Sequence, residues 1–138
     1  MPHHITHEHV QAWLDAYEHA WQTYDADEVA ALFTEDAEYR FHPADEPVVG
    51  RDAIVDDWVN PSGNASDRDA PGTYLGEYVP YAVDGSRAVA IGTSSYFTDA
   101  SRTQLERVYY NNWLLEFGDD GKCRSFTEYW ITPRGAKY

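Results

Sequence analysis

Apolar positions recur at three- and four-residue steps between residues 7 and 24: Val10, Trp13, Leu14, Tyr17, Trp21 and Tyr24. That spacing draws one stripe along a helix, and Asp15, Glu18, His19 and Gln22 fall away from it toward solvent. Thr6 stands as a plain N-cap, since His9 and not an acid or amide follows three residues on. Asp25 or Asp27 then caps a shorter helix over residues 27–33, with Val29, Leu32 and Phe33 inward, and residues 34–36 break it. Residues 37–42 alternate, Tyr39 and Phe41 against Glu38, Arg40 and His42, and predict a strand closed by Pro43 and Pro47. A third helix over residues 52–59 turns Ile54, Val55, Trp58 and Val59 inward and ends at Pro61. Residues 60–72, rich in Gly, Ser, Asn, Asp and Pro, predict a mobile loop. Strands over 73–83, 88–98, 103–117 and 124–132 follow, with Asp84-Gly85 and Asp119-Asp120-Gly121 as hairpin turns.

The last hairpin concentrates the chemistry. Side chains alternate faces along a strand, so Arg107, Tyr109, Asn111, Trp113, Leu115 and Phe117 share one face of its first arm, and Phe126, Glu128 and Trp130 one face of its second. Aromatic walls holding a few convergent polar groups have the make-up of a small-molecule site. Burial among aromatics disfavours a carboxylate anion and moves its pKa toward the range where it shuttles protons near neutrality. Glu128 is therefore the candidate acid–base group, with the Tyr17 phenol and the Asn111 amide as candidate donors to a developing oxyanion. Trp13, Tyr24, Tyr39, Trp58, Tyr109, Trp113 and Trp130 are expected to line the ligand cavity. Arg107, nearer the mouth, either neutralises Glu128 or holds an anionic ligand, and Glu77 is a candidate carboxylate partner for Glu128. The structural alternative is that Glu128 and Asn111 only satisfy buried polar groups. On the opposite face Val108, Tyr110, Leu114, Tyr129 and Ile131 form an apolar surface that predicts a homodimer through the outer side of the sheet.

Composition narrows the classes. A chain of 138 residues has the length of one domain, with a core expected over about 7–133, and its 11 Tyr and 5 Trp suit a bulky core or an aromatic cavity. The net charge of −14 argues against nucleic acid and anionic membrane surfaces as partners. Lys122 and Lys137 are the only lysines against 14 Asp, a balance compatible with a salt-adapted or high-GC source. The single Cys123 allows no internal disulfide and fits a reducing cytoplasm. No apolar run approaches the ~20 residues of a membrane span, and the start of the chain lacks a signal-peptide layout, so a cytoplasmic location is expected. His3, His4, His7 and His9 crowd that start, but His7 and His9 stand two apart, where a helical turn does not bring them together, and are expected to be solvated. No His/Asp/Glu cluster shows metal-ligand spacing inside the fold, no glycine-rich loop marks a nucleotide site, and no cofactor is expected. Asn64-Ala65-Ser66 matches a glycosylation sequon by chance.

Helices first, then a strand, a helix and a run of antiparallel strands make an α+β domain. That order, with LFTEDAEYRF leading into VVGRDAIVDDW and SFTEYW near the end, resembles the nuclear transport factor 2-like superfamily in its SnoaL-like branch over about residues 10–133. The resemblance implies a cone-shaped curved antiparallel sheet with N-terminal helices packed over its concave face, a pocket under the first helix, and frequent pairing through the sheet. Members include ketosteroid isomerases, polyketide cyclases, epoxide hydrolases, dehydratases and non-catalytic transport or assembly domains, so fold alone does not choose a reaction. Set against the isomerases, VQAWLDAY puts Tyr17 in the place of their oxyanion-stabilising tyrosine, Phe41 or His42 in the place of their base, and Trp113 near their second acid. Set against scytalone dehydratase, Tyr24 and Asp25 match a helix-end Tyr-Asp pair, but Tyr74 stands where a strand histidine is needed. The Arg flanked by two strand aspartates of the epoxide hydrolases has no clean counterpart; Asp84 and Asp99 lie at strand ends. Two readings stand. One is a cofactor-independent acid–base isomerase, cyclase or dehydratase acting on a small hydrophobic carbonyl compound. The other is a non-catalytic binder of a small hydrophobic ligand.

Overall fold

The computed structural model describes residues 4–60, 70 and 72–138. His3, Pro61, the 64–66 sequon and nearly all of the predicted loop over 60–72 lie outside the described residues.

The apolar stripe forms helix α1 (His7–Thr23), capped by the Thr6 hydroxyl, which accepts the His9 N–H at 3.0 Å. Tyr24 ends the helix in the left-handed region at φ 52°, its N–H donating to the Ala20 carbonyl. The Asp25 carboxylate accepts from the N–H groups of Asp27 and Glu28 and so starts α2 (Ala26–Ala30). The predicted second helix ran to residue 33; in the structure it stops at Ala30, and residues 33–36 open strand β1 (Phe33–Arg40). Long-range pairing overrides local pattern here. Phe33 sits opposite Cys123 of the last strand, Cys123 donates to the Leu32 carbonyl at 2.9 Å, and a register shift before Glu38 breaks the alternation that would have betrayed a strand.

A two-residue strand β2 (Val48–Val49), too short for its sequence to signal, pairs with β1 before α3 (Arg51–Val59). Strands β3 (Tyr74–Asp84), β4 (Arg87–Phe97), β5 (Leu105–Phe117) and β6 (Cys123–Ile131) follow within two residues of expectation. The six strands form one curved, open sheet in the order β2-β1-β6-β5-β4-β3, antiparallel except where β1 runs parallel to β6. The helices cover its concave face.

Packing centres on Tyr17. Its ring lies 4.5 Å from Trp113 of β5, 5.0 Å from Trp58 of α3 and 5.5 Å, stacked, from Phe126 of β6. Helix, sheet and second helix layer thus meet on one side chain. Gly92 lets β4 pass beneath Tyr78: a Cβ there would stand 2.0 Å from the Glu77 carbonyl and 2.6 Å from the Tyr78 ring. Freed from that obstruction, Tyr78 stacks on Trp113 at 3.9 Å.

His9 is not the solvated residue expected. Its Nε2 lies 2.8 Å from the Gly121 carbonyl and its ring meets Phe117 edge-on at 5.5 Å, fastening the start of α1 to the β5–β6 turn. On the convex side Tyr110, Leu114, Tyr129 and Ile131 are exposed as expected, joined by Val79, Tyr81 and Ile91, while Val108 is half-buried. No helix among the described residues is long and apolar enough to cross a membrane.

Candidate functional site

A cavity of about 270 Å³ lies between α1 and the concave face. The strand ladder orders its walls by depth. Glu128 sits opposite Trp113, Asn111 opposite Trp130, Ser94 opposite Tyr109, and Tyr96 opposite Arg107. Tyr17 and Trp21 descend from α1, Phe41 follows β1, and Tyr74 closes the side formed by β3. Trp130 is 43% exposed and marks the mouth.

Among the described residues Glu128 is held by a single hydrogen bond, accepting the Trp113 indole N–H at 2.9 Å. Burial among aromatic rings pushes its carboxyl up to about 7, against the smaller lowering effect of that N–H. The hydroxyls of Tyr17 and Tyr39 hydrogen-bond each other at 2.8 Å. Burial lifts both phenols well above their ordinary value, and the nearby Glu128 charge adds to each shift. They keep their protons at neutral pH and serve as donors.

The Asn111 amide nitrogen donates to the hydroxyls of Tyr78 and Ser94, which also bond each other. Those bonds occupy the amide donors, in keeping with the structural alternative given for Asn111 rather than the oxyanion role. Asn111 instead fixes two hydroxyls, and that of Ser94 belongs to a lining residue. Among the described residues the Asn111 Oδ1 and the Nε1 atoms of Trp21 and Trp58 are buried with no hydrogen-bond partner.

At the mouth the Arg107 guanidinium lies 4.0 Å from the centroid of the Tyr96 ring. Tyr109 is boxed edge-on by Tyr96, Trp130 and Tyr138 at 5.6–6.0 Å. The Tyr138 hydroxyl accepts from the Val108 N–H at 2.9 Å and donates to the Val108 carbonyl at 3.0 Å. It thereby covers the stretch of β5 that lies beyond the end of β6.

Of the expected site residues, Glu128, Tyr17, Asn111, Arg107, Tyr109 and Trp130 come together around the cavity. Five expected lining residues do not. Trp13 donates to the Leu32 carbonyl at 2.9 Å in the core, Tyr24 caps α1, and Tyr39 backs Tyr17. Trp58 packs under Tyr17 and Trp21, and Trp113 grips Glu128 from behind. Glu77 is exposed on the outer face of β3 and pairs with nothing near Glu128. Glu128 takes its bond from Trp113 and not from Arg107.

Sequence reasoning missed Trp21, Phe41, Tyr74, Ser94 and Tyr96 as lining residues. Trp21 was on the helical stripe, and strand alternation already turned Phe41 inward. Glu18 is not the solvent-facing residue expected. It is half-buried, accepts the Tyr78 N–H at 3.0 Å, and burial raises its carboxyl to about 7. His42 is exposed, with its Nδ1 accepting the Ala44 N–H. Among the described residues no group of three or more His, Cys, Asp or Glu side chains is placed to hold a metal ion.

The family model for the SnoaL-like domain matches residues 10–126. The chain belongs to this family. Solved structures similar to this SnoaL-like chain include a nuclear transport factor 2-like protein with a cystatin-like fold from Novosphingobium aromaticivorans, at 22% identity and TM-score 0.64 over 94% of this chain and 83% of that one. A candidate polyketide cyclase from Xanthomonas campestris pv. campestris is 19% identical with TM-score 0.62 over 91% and 92%. An LEH-like epoxide hydrolase from M. tuberculosis is 17% identical with TM-score 0.61 over 90% and 84%. At these identities the likeness carries the fold. Among curated proteins none matches the SnoaL-like chain in sequence.

Glu128 yields a stability prediction. A carboxyl raised by burial is no burden while protonated, below its unfolded value near 4.5, and destabilises the fold progressively as pH rises to about 7. Glu128→Gln is expected to exceed the wild type at pH 8 by up to about 3 kcal/mol. The gap should close toward pH 4.5, read by urea denaturation across the range. A gap independent of pH would contradict the buried, uncompensated carboxyl.

Proposed function

We propose that the cavity is a metal-free acid–base site for a small hydrophobic carbonyl compound, of isomerase, cyclase or dehydratase type. The observation that carries this reading is the Glu128 carboxyl, buried beside the cavity, held among the described residues only by the Trp113 N–H, and raised to about 7. Such a group is close to half ionised at neutral pH, which suits both taking and returning a proton. The ionised form removes a proton from carbon next to the carbonyl. The C–H electron pair becomes a C=C bond, and the carbonyl electrons move onto oxygen to give an enolate. The Tyr17 hydroxyl, steadied by Tyr39, donates to that oxygen. Glu128, now protonated, returns the proton to a second position or to the departing group.

A bicyclic ketone such as 2-tetralone provides a test without knowledge of the natural substrate. In deuterated buffer the wild type should accelerate loss of its α-proton signals by NMR. Glu128→Gln should lower that rate by about 10²–10⁴-fold, and Tyr17→Phe by roughly 10²-fold. Equal exchange in wild type and Glu128→Gln would leave the cavity as a binding site without catalysis.

The chain is further proposed to pair with a second copy through its convex face, where Tyr110, Leu114, Tyr129 and Ile131 stand exposed together on β5 and β6. Contiguous apolar surface of this kind is a recurrent mark of an interface. Light scattering should give twice the chain mass, and Leu114→Lys combined with Ile131→Lys should give the monomer. A wild-type monomer at micromolar concentration would sink the pairing. The buried, free Cys123 fits a reducing compartment, consistent with a cytoplasmic protein.

A further inference from the structure

Two glycines open the concave floor where β3, β4 and β5 meet the cavity. A Cβ at Gly76 would stand 2.3 Å from the Tyr74 hydroxyl, and one at Gly92 would stand 2.6 Å from the Tyr78 ring. Gly76 pairs with Ser94 and Gly92 with Asn111 across the ladder. In the room they leave, four buried side chains bring polar groups together: Tyr74, Tyr78, Ser94 and Asn111. Tyr74, Ser94 and Asn111 also line the cavity.

The supply of protons sets the direction of their hydrogen bonds. Asn111, Tyr78 and Ser94 make three mutual contacts. If the amide oxygen faced the two hydroxyls, only two protons would serve those three contacts. The amide nitrogen therefore faces them and brings two more. With four protons for three contacts, one hydroxyl proton points out of the triangle. On Tyr78 it would be stranded, since the partners of that hydroxyl among the described residues are Asn111 and Ser94, and native proteins rarely strand a buried donor. On Ser94 it reaches Tyr74, whose oxygen a hydrogen bond from Ser94 acts upon. Burial keeps both phenols protonated, so the Tyr74 proton is then left over. Whichever way the last bond runs, the surplus proton ends on a hydroxyl of the cavity wall, Ser94 or Tyr74. The Ser94 oxygen is already filled by Asn111 and Tyr78, so the wall gives a hydrogen bond and does not take one.

We infer that this wall is a subsite for an uncharged oxygen acceptor, and that the ligand is a small ring carrying two oxygen functions, one set against Ser94 and Tyr74 and the other against Glu128 and Tyr17. One neutral O–H does not compensate a buried anion, so a carbonyl suits the subsite and a carboxylate does not. The spacing is short. Asn111 pairs with Trp130, two residues from Glu128, a diagonal of about 7–8 Å, and the Ser94 hydroxyl lies 3.1 Å from the Asn111 amide nitrogen. A cavity of about 150 Å³ accommodates benzene, so about 270 Å³ holds one ring with two short substituents. The inference rests on the cavity being the ligand site of the proposed function, whose substrate class it narrows, and it does not depend on turnover.

The test uses three acetophenones of matched shape: 1,4-diacetylbenzene, 4-ethylacetophenone and 4-acetylbenzylammonium. Each is titrated into the full chain by calorimetry at about 150 mM salt, which screens distant surface charge. The diketone is expected to bind about three- to tenfold tighter than the ethyl ketone, the effect of one neutral hydrogen bond. Tyr74→Phe combined with Ser94→Ala removes both wall hydroxyls, whereas either change alone leaves one. The double variant is expected to abolish the preference. So is Asn111→Asp, whose carboxylate draws the Tyr78 and Ser94 protons inward. Equal binding of the two ketones by the wild type, tightest binding by the ammonium ion, or a preference kept by either folded variant overturns the inference. Should neither variant fold, infrared spectroscopy of the bound diketone decides. Both carbonyl stretches are expected below their frequency in hexane, and one left at that frequency overturns the inference too. Diketone preference without tetralone exchange would sink the acid–base reading only; tetralone exchange without the preference would sink this inference only. Failure of all three to bind overturns the inference and leaves the acid–base reading to the tetralone exchange.

Discussion

The Tyr17 ring is the contact on which this architecture depends. It is nearly sealed, yet it touches aromatic rings from α1, α3, β5 and β6 at once. Burying a large aromatic contributes about 1.5–3 kcal/mol through surface alone, and favourable ring geometries add to it. The geometric effect is larger than the energetic one. Because the ring sits between helix and sheet, α1 cannot slide along the concave face. The hydroxyl end, tied to Tyr39, fixes where the helix roof meets the floor. Trp13 lies on one side of that pivot, among Phe33, Phe117 and Phe126, where the cone is filled. Trp21 lies on the other side, with Tyr74 and Phe41, where it opens.

The same arrangement isolates a carboxyl. Trp113 serves two masters: its ring belongs to the stack with Tyr78 and Tyr17, and its N–H reaches Glu128. One neutral hydrogen bond does not compensate the desolvation of a carboxylate, so the group stays protonated until pH is close to neutral. An arginine pair would have compensated that charge. Arg107 is placed instead at the far end of the ladder, over Tyr96. The cavity therefore has Glu128 at its deep end and Arg107 at its shallow end.

Much of this was legible from residue order. The period-two pattern of β5 placed Asn111, Trp113, Leu115 and Phe117 on the buried side, as the structure has them. The stripe of α1 and the Thr6 cap also stood in the local sequence. What escaped was non-local. The parallel pairing of β1 with β6 draws residues 33–36 into a strand that their own pattern denies. Glu18 looks solvated on a helical wheel, and only a backbone N–H sixty residues away makes it half-buried. Alternation puts Trp113 and Trp130 on the cavity side of their strands, but it cannot tell a ring filling the core from one bordering a void. That difference is set by where α1 crosses the sheet. Asn111 was likewise placed on the buried side, but which of its two readings holds depends on Tyr78 and Ser94, which reach it from other strands.

An acid–base role for the cavity depends on the protonation state of Glu128. Carbon-13 NMR of protein labelled at the glutamate carboxyl carbon, with the Glu128 signal assigned by its loss in Glu128→Gln, follows that state directly through a pH titration. A midpoint near 7 is predicted. A midpoint in the ordinary glutamate range, about 4.3, would mean that the carboxyl is solvated or paired and that the chamber is not an acid–base site.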